Sequence, residues 1–208
     1  WRSTILGCVS GVLLLCITVP GNAFGDNSVR IESEHVVSHR ELILSVHSAA
    51  MGKAIEVRVI PAVGGRSAPT LYLLNGAAGG EGASSWFDQT DIRSYFAREN
   101  VNVVVPMGGA ASYFTDWRRA DPVLGVQKWA TFQSQELPRV IDRRFDANGR
   151  NAIAGISMAG TSVFQLSMRA PSLCRAIGSF SGCAQTSDPV GQAAVSYTHL
   201  TLPTICSV

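Results

Sequence analysis

In the run Gly155-Ile156-Ser157-Met158-Ala159-Gly160 a serine stands between small residues, after an apolar stretch and before a helix-forming one. A serine hydroxyl becomes a useful nucleophile when a sharp strand-to-helix turn exposes it beside unpaired backbone N–H groups. Strand, serine and helix in that order are the context such a turn requires. Gly155 and Ala159 keep the turn clear, with Ala159 in a place where this motif usually has glycine. The helix beginning at Met158 points its N-terminus at the spot where an attacked ester would gather negative charge, so the Met158 N–H offers one oxyanion donor. The second donor expected is the Ala77 N–H, in the loop Asn75-Gly76-Ala77-Ala78-Gly79-Gly80 that follows an earlier strand to the same edge of the sheet. Each such donor is worth roughly 3–4 kcal/mol in serine hydrolases. A serine between strand and helix can also be a mere N-cap; the glycine-rich loop is what favours the nucleophile.

A nucleophilic serine of this kind is followed along the chain by an acid and then a histidine. The only histidine after Ser157 is His199, whereas His35, His39 and His47 precede it and read as exposed strand residues. The acid and the histidine are therefore expected beyond the end of this sequence. Without them the chain by itself is expected to be inactive, since losing triad members costs roughly 10⁴ to 10⁶ in turnover in subtilisin.

The elements that must position Ser157 follow from periodicity. Residues 29–46 and 54–61 alternate apolar with polar, as half-buried antiparallel strands do, around a turn at Ala50-Met51-Gly52-Lys53. Thr70-Leu71-Tyr72-Leu73-Leu74 and Val101-Asn102-Val103-Val104-Val105 are nearly continuous apolar runs, suited to strands covered on both faces. Residues 91–98 read as a helix with Asp88 or Thr90 near its N-cap, and 129–145 as a helix that Pro138 must kink or interrupt. Strand 151–156, helix 158–169 and strand 176–180 complete the alternation, which implies right-handed crossovers and a parallel sheet.

The ends read differently. Arg2, the apolar run from Ile5 to Val19 and the small residues ending at Gly25 match a secretory signal over residues 1–25, the other reading being a retained anchor. The run is short for a membrane span, which needs about 20 apolar residues, and the lack of an initial Met implies an incomplete N-terminus. Residues 26–194 then form a partial globular domain. Residues 195–208 continue no earlier pattern and read as a non-native tail carrying His199 and Cys206, or else as a terminal strand. Cys174 and Cys183 flank an extended segment rising about 3.3 Å per residue, too far apart for the ~7 Å a disulfide spans. A net charge of +2 with scattered Lys and Arg gives no nucleic-acid footprint, and no His/Cys cluster has metal-ligand spacing, so neither metal nor cofactor is expected.

Four segments occur together and in order: Tyr72-Leu73-Leu74-Asn75-Gly76; Val105-Pro106-Met107-Gly108-Gly109 with Ser112-Tyr113-Phe114-Thr115-Asp116-Trp117; Lys128-Trp129-Ala130-Thr131-Phe132 with Glu136-Leu137-Pro138; and the Ser157 turn. Across about residues 29–189 the chain resembles the antigen 85 type mycolyltransferases and esterases, in their corynebacterial-like branch. The resemblance implies an α/β-hydrolase fold, a mixed, mostly parallel sheet with helices on both faces, ending before its last strands. It implies a secreted, cell-envelope acyltransferase that moves mycolyl groups between trehalose mycolates, or onto arabinogalactan, through a Ser157 ester.

The family's oxyanion donors fall at Ala77 and Met158. Its trehalose-contacting Asp and Arg fall at Asn75 and Ala78, so that charged pair is absent and the sugar acceptor is left open. Asp188 falls near an acidic substrate contact of the family, or is a solvated loop residue before Pro189. Trp117 and Trp129 are read as core, and the family's disulfide after the Asp-Trp motif has no cysteines here. Two other functions fit the residues: a carboxylesterase that hydrolyses acyl esters, and a non-catalytic secreted binding protein of the same fold. The exposed apolar sheet edge of a truncated domain is expected to make the isolated chain poorly soluble.

Overall fold

In the computed structural model, the described residues are 28–183 apart from 39 and 65–66, together with 188, 189, 192 and 193. The expected leader, His39, His199 and the C-terminal tail lie outside them.

A seven-stranded sheet runs in the order β1-β2-β3-β5-β4-β6-β7. Its first part is antiparallel, as the alternating residues predict: β1 (Arg30–Ser38) pairs with β2 (Glu41–Ser48), and β2 with β3 (Lys53–Ile60). Residues 29–46 thus divide into two strands of a hairpin. The next turn closes through the Gly52 N–H on the Ser48 carbonyl (2.8 Å), with Gly52 at φ +62°. Strand β3 passes antiparallel beside β5 (Asn102–Pro106), and from there β5, β4 (Thr70–Leu74), β6 (Asn151–Ile156) and β7 (Cys174–Phe180) are parallel.

Both faces of the central strands are covered, which is why their sequences are unbroken apolar runs. On one face Val57, Tyr72, Leu74 and Val104 pack against Trp129, Phe132, Leu137, Ile141, Val163 and Leu166. On the other, Leu73, Val103 and Val105 meet Phe87 and Ile92. Strand β7 is the last in the order and leaves Ile177 and Phe180 exposed.

Two helical stretches differ from expectation. Residues 91–98 are not one helix: α1 (Trp86–Gln89) comes first, then α2 (Ile92–Tyr95) and a 3₁₀ turn at Phe96–Arg98. Asp88 belongs to the start of α1, where its carboxylate accepts from the Ser85 N–H (3.2 Å) and hydroxyl (2.5 Å). Thr90 Oγ1 takes the Ile92 N–H (3.3 Å) at the start of α2. In the longer stretch, α3 (Trp129–Thr131) opens into a π-helical segment (Phe132–Glu136) and closes again as α4 (Leu137–Phe145). Pro138 has no N–H, and its ring collides with the carbonyl four residues back, so the widened turn just before it relieves the conflict without ending the helix. The Glu136 carboxylate lies in that turn and accepts from the Ser48 hydroxyl (2.6 Å) and the Ala50 N–H (2.8 Å), tying the helix to the β2–β3 turn.

Helix α5 runs over Met158–Arg169 as its sequence indicates. Cys174 begins β7 and Cys183 lies beyond its end, with no disulfide between them.

Candidate active site

Strand order places the site. From β4 the chain passes to β5 on one side, while from β6 it passes to β7 on the other. In parallel sheets a crevice opens at the carboxyl ends of two strands whose connections diverge in this way. Ser157 ends β6 and the Asn75–Gly80 loop ends β4, so both border that crevice.

Ser157 is exposed and held at φ 56°, ψ −120°, a backbone conformation strained for any residue with a side chain. Neighbouring contacts enforce it. The Ser157 N–H donates to the Phe180 carbonyl (2.8 Å), and the Ser179 hydroxyl donates to the Gly160 carbonyl (2.8 Å), so the end of β7 fixes both sides of the turn. The glycines are there for close backbone approach: a Cβ on Gly155 would lie 2.5 Å from the Ala159 carbonyl oxygen, and one on Gly160 2.7 Å from that of Phe180. A Cβ on Gly76 would lie 3.7 Å from the Ser157 Cβ, which brings the two turns into contact across the crevice.

Met158 N–H belongs to the first turn of α5, where backbone donors have no intrahelical acceptor. Among the described residues, the Ala77 N–H donates in none of the loop hydrogen bonds, while the Ala77 carbonyl accepts from Ala111 N–H (2.8 Å). The Met158 N–H follows the serine directly, and the Ala77 N–H lies on the loop whose Gly76 meets the Ser157 turn, which makes these two the candidate donors to an oxyanion formed at Ser157. The Met158 side chain points inward, 5% exposed, and its Sδ accepts the Tyr113 N–H (3.3 Å).

The other sequence-derived candidates fall at different depths. Ala78 is exposed on the loop. Asn75 is buried, 1% exposed, and its amide is occupied: Oδ1 accepts from Trp86 N–H (3.1 Å) and Nδ2 donates to the Pro106 carbonyl (3.2 Å). It braces the loop from beneath instead of facing the crevice, a correction to its expected contact with substrate. Asp188 lies beyond β7, its carbonyl accepting from Gln192 N–H (2.8 Å).

His35 and His47 sit on β1 and β2, on the antiparallel side of the sheet. At ~4.8 Å per strand, β2 is about 19 Å from β6, too far for either to serve Ser157. Trp117 and Trp129 are buried, as read from the sequence. Among the described residues no group of three or more His, Cys, Asp and Glu could hold a metal ion, and no helix is long and apolar enough to cross a membrane.

The loop after β5 carries residues whose local role the sequence did not disclose. Gly108, Gly109, Ala111, Tyr113 and Phe114 all have positive φ. Ser112, fully buried, holds this contorted path: its hydroxyl donates to the Gly109 carbonyl (2.7 Å) and accepts from Phe114 N–H (3.0 Å). Asp116 then joins three elements, accepting from Thr131 N–H (3.0 Å), the Thr131 hydroxyl (2.7 Å) and Arg169 (2.7 Å). The Ser162 hydroxyl of α5 donates to the Tyr113 carbonyl (2.6 Å), so the loop is pinned over the helix that carries the serine turn.

A mixed, mostly parallel sheet with helices on both faces, and a strained serine between strand and helix, define the α/β-hydrolase class. The chain belongs to the putative esterase family, which it matches over residues 48–200. It is 32% identical over 159 residues to diacylglycerol acyltransferase/mycolyltransferase Ag85A of Mycobacterium leprae, covering 73% of this chain and 47% of that protein. It is 32% identical over 154 residues to Ag85B of the same organism, covering 71% and 46%. The chain thus spans about half the length of these relatives. Among solved structures, Mycobacterium tuberculosis MPT51 superposes with a TM-score of 0.64 at 29% identity, over 74% of this chain and 55% of its own. An S-formylglutathione hydrolase from Agrobacterium tumefaciens shares the fold at a TM-score of 0.59 and 17% identity, over 80% of this chain and 67% of its own.

Proposed function

We propose that the protein is a secreted serine acyltransferase in which Ser157 carries the acyl group. The observation that supports this most strongly is the exposed serine at φ 56°, ψ −120°, on a strand-to-helix turn that meets the glycine-rich loop after β4. Strain of this kind persists only where the surroundings enforce it, and it recurs at catalytic centres.

On this reading Ser157 Oγ attacks the carbonyl carbon of an acyl ester and loses its proton to a base. The carbonyl oxygen becomes an oxyanion held by the N–H groups of Met158 and Ala77. Collapse expels the alcohol and leaves the acyl group on Ser157, and an acceptor hydroxyl then reverses the sequence. The mycolyltransferase relatives favour a long-chain acyl group, with acceptors among trehalose mycolates or cell-wall arabinogalactan. Ala78 borders the crevice where a sugar would approach, and Asp188 is an additional candidate contact. Neither His35 nor His47, on β1 and β2, is placed to be that base.

Plain ester hydrolysis is the second reading, favoured by the esterase family to which the chain belongs. The complete protein, given trehalose monomycolate, distinguishes the readings. Dimycolate formed by wild type and abolished by Ser157→Ala supports transfer. Release of free acid alone supports an esterase, and neither product supports a binding protein of the same fold.

A further inference from the structure

The direction of the Ala77 N–H is set by what holds the rest of its turn. The Gly76 carbonyl accepts from the Gly79 N–H (2.9 Å). Carbonyl and N–H of one trans peptide unit point in opposite directions, so that bond turns the Ala77 N–H, which belongs to the same unit, away from the turn. The Gly79 carbonyl is held in its own right by the Gly108 N–H (2.8 Å) and by Asn75 Nδ2 (3.5 Å), and the Ala77 carbonyl by the Ala111 N–H (2.8 Å).

Asn75 brings side-chain bonds to this scaffold. It joins the ends of β4 and β5 to the start of α1: Oδ1 accepts from the Trp86 N–H (3.1 Å), while Nδ2 donates to the Pro106 and Gly79 carbonyls (3.2 and 3.5 Å) and approaches Met107 Sδ (3.6 Å). Gly80 leaves room for the amide, since a Cβ there would lie 2.6 Å from Nδ2. The site demands a neutral group that donates on one side and accepts on the other. A carboxylate would set its charge against two carbonyl oxygens, and a methyl would strand the Trp86 N–H and the Pro106 carbonyl.

We propose that Asn75 is a positioning residue for the Ala77 N–H. Its amide fixes the 76–79 turn, and with it the direction of that donor, acting through the backbone without touching substrate. The inference rests on the acyl-enzyme reading, in which the Ala77 N–H stabilises the oxyanion, and it assigns the residue that keeps this donor aimed.

The complete protein is assayed on p-nitrophenyl butyrate as wild type, Asn75→Ala, Asn75→Asp and Glu41→Gln, the last a control weakened on the antiparallel side of the sheet. Loss of one oxyanion donor costs about 10²–10³ in turnover, so Asn75→Ala is expected to lower kcat roughly 10²-fold with KM within about twofold, at a temperature where its circular dichroism matches wild type. Glu41→Gln is expected to keep the wild-type kcat. In Asn75→Asp the ionised carboxylate repels both carbonyls, whereas the protonated acid donates to one of them as the amide does. None of the hydrogen-bond partners at this position titrates. Its kcat, taken as a ratio to wild type so that the shared base cancels, is expected to rise at least about fivefold as pH falls from about 8 to about 5. A wild-type kcat in Asn75→Ala, a raised KM with kcat intact, or a ratio flat with pH would overturn the proposal. No turnover by wild type would overturn the acyl-enzyme reading instead. The amide NMR spectrum then judges the turn: resonances of residues 76–79 should shift in Asn75→Ala, and unmoved resonances would overturn the positioning role.

Discussion

Replacing Gly155 by alanine tests whether the serine turn is held by contact between β6 and α5. The added Cβ would lie 2.5 Å from the Ala159 oxygen, 2.6 Å from its carbonyl carbon and 2.8 Å from its Cβ, where ordinary contact begins at 3.4 Å. Two of those atoms are backbone, so no side-chain rotation relieves them, and the start of α5 must move by nearly an ångström. Overpacking of this size costs about 1–3 kcal/mol. Because Ser157 and the Met158 N–H ride on the displaced segment, reactivity should fall roughly 10²-fold, the usual consequence of a 1 Å misplacement.

The assay pairs denaturant unfolding of the complete protein with its rate of inactivation by a fluorophosphonate. Gly52→Ala is the control. It has φ +62° with nothing within 4 Å of the new Cβ, so it should cost about 1 kcal/mol through backbone strain and leave the rate alone. Native stability and a native rate in Gly155→Ala would refute the packing argument.

Other substitutions test other parts of the structure. Burial acts to raise the Glu41 carboxyl, but hydrogen bonds from Arg93 and Arg58 outweigh it and hold the group below 4.5. Its contribution is thus full above that value and is lost as pH falls through the lower folded value. Glu41→Gln should cost about 2 kcal/mol at pH 7, less than the ~3–5 for a fully buried pair because Arg93 is half exposed, and should flatten the acid limb of the stability curve; an unchanged acid limb would contradict this. Burial pushes the Cys174 thiol up to about 11, so at pH 8 iodoacetamide should alkylate Cys183, which is exposed, and reach Cys174 only on unfolding; equal labelling in the native protein would contradict it. The Tyr72 hydroxyl is buried with no hydrogen-bond partner among the described residues. Tyr72→Phe should therefore leave stability unchanged or raise it by up to ~1 kcal/mol, and a clear loss in a denaturant melt would show that the hydroxyl is satisfied.

What could be read from sequence was whatever a single segment enforces on itself. Strands β4, β5 and β6 announce themselves because both of their faces are buried, and α5 because a strand, a tight turn and a proline bracket it. Pro138 signalled an irregular helix, but that the irregularity is a π-helical turn whose Glu136 carboxylate reaches the β2–β3 turn, 86 to 88 residues away in sequence, is visible only in the tertiary structure. Asn75 shows the limit most clearly. The resemblance made it a candidate ligand contact, because the family's trehalose-contacting Asp falls at its position, and only the tertiary structure brings Trp86 and Pro106 around its amide. Residues 107–117 were conspicuous without being interpretable, because the positive φ at Ala111, Tyr113 and Phe114 is imposed by packing against α5 and the turn hydrogen bonds of Ser112.

The nucleophile itself is tested most directly by labelling the complete protein with a fluorophosphonate and locating the adduct by peptide mass spectrometry. A single adduct on Ser157, absent in Ser157→Ala, is the predicted result. An adduct on another residue, or labelling that survives the substitution, would contradict the assignment of Ser157 as the residue that carries the acyl group.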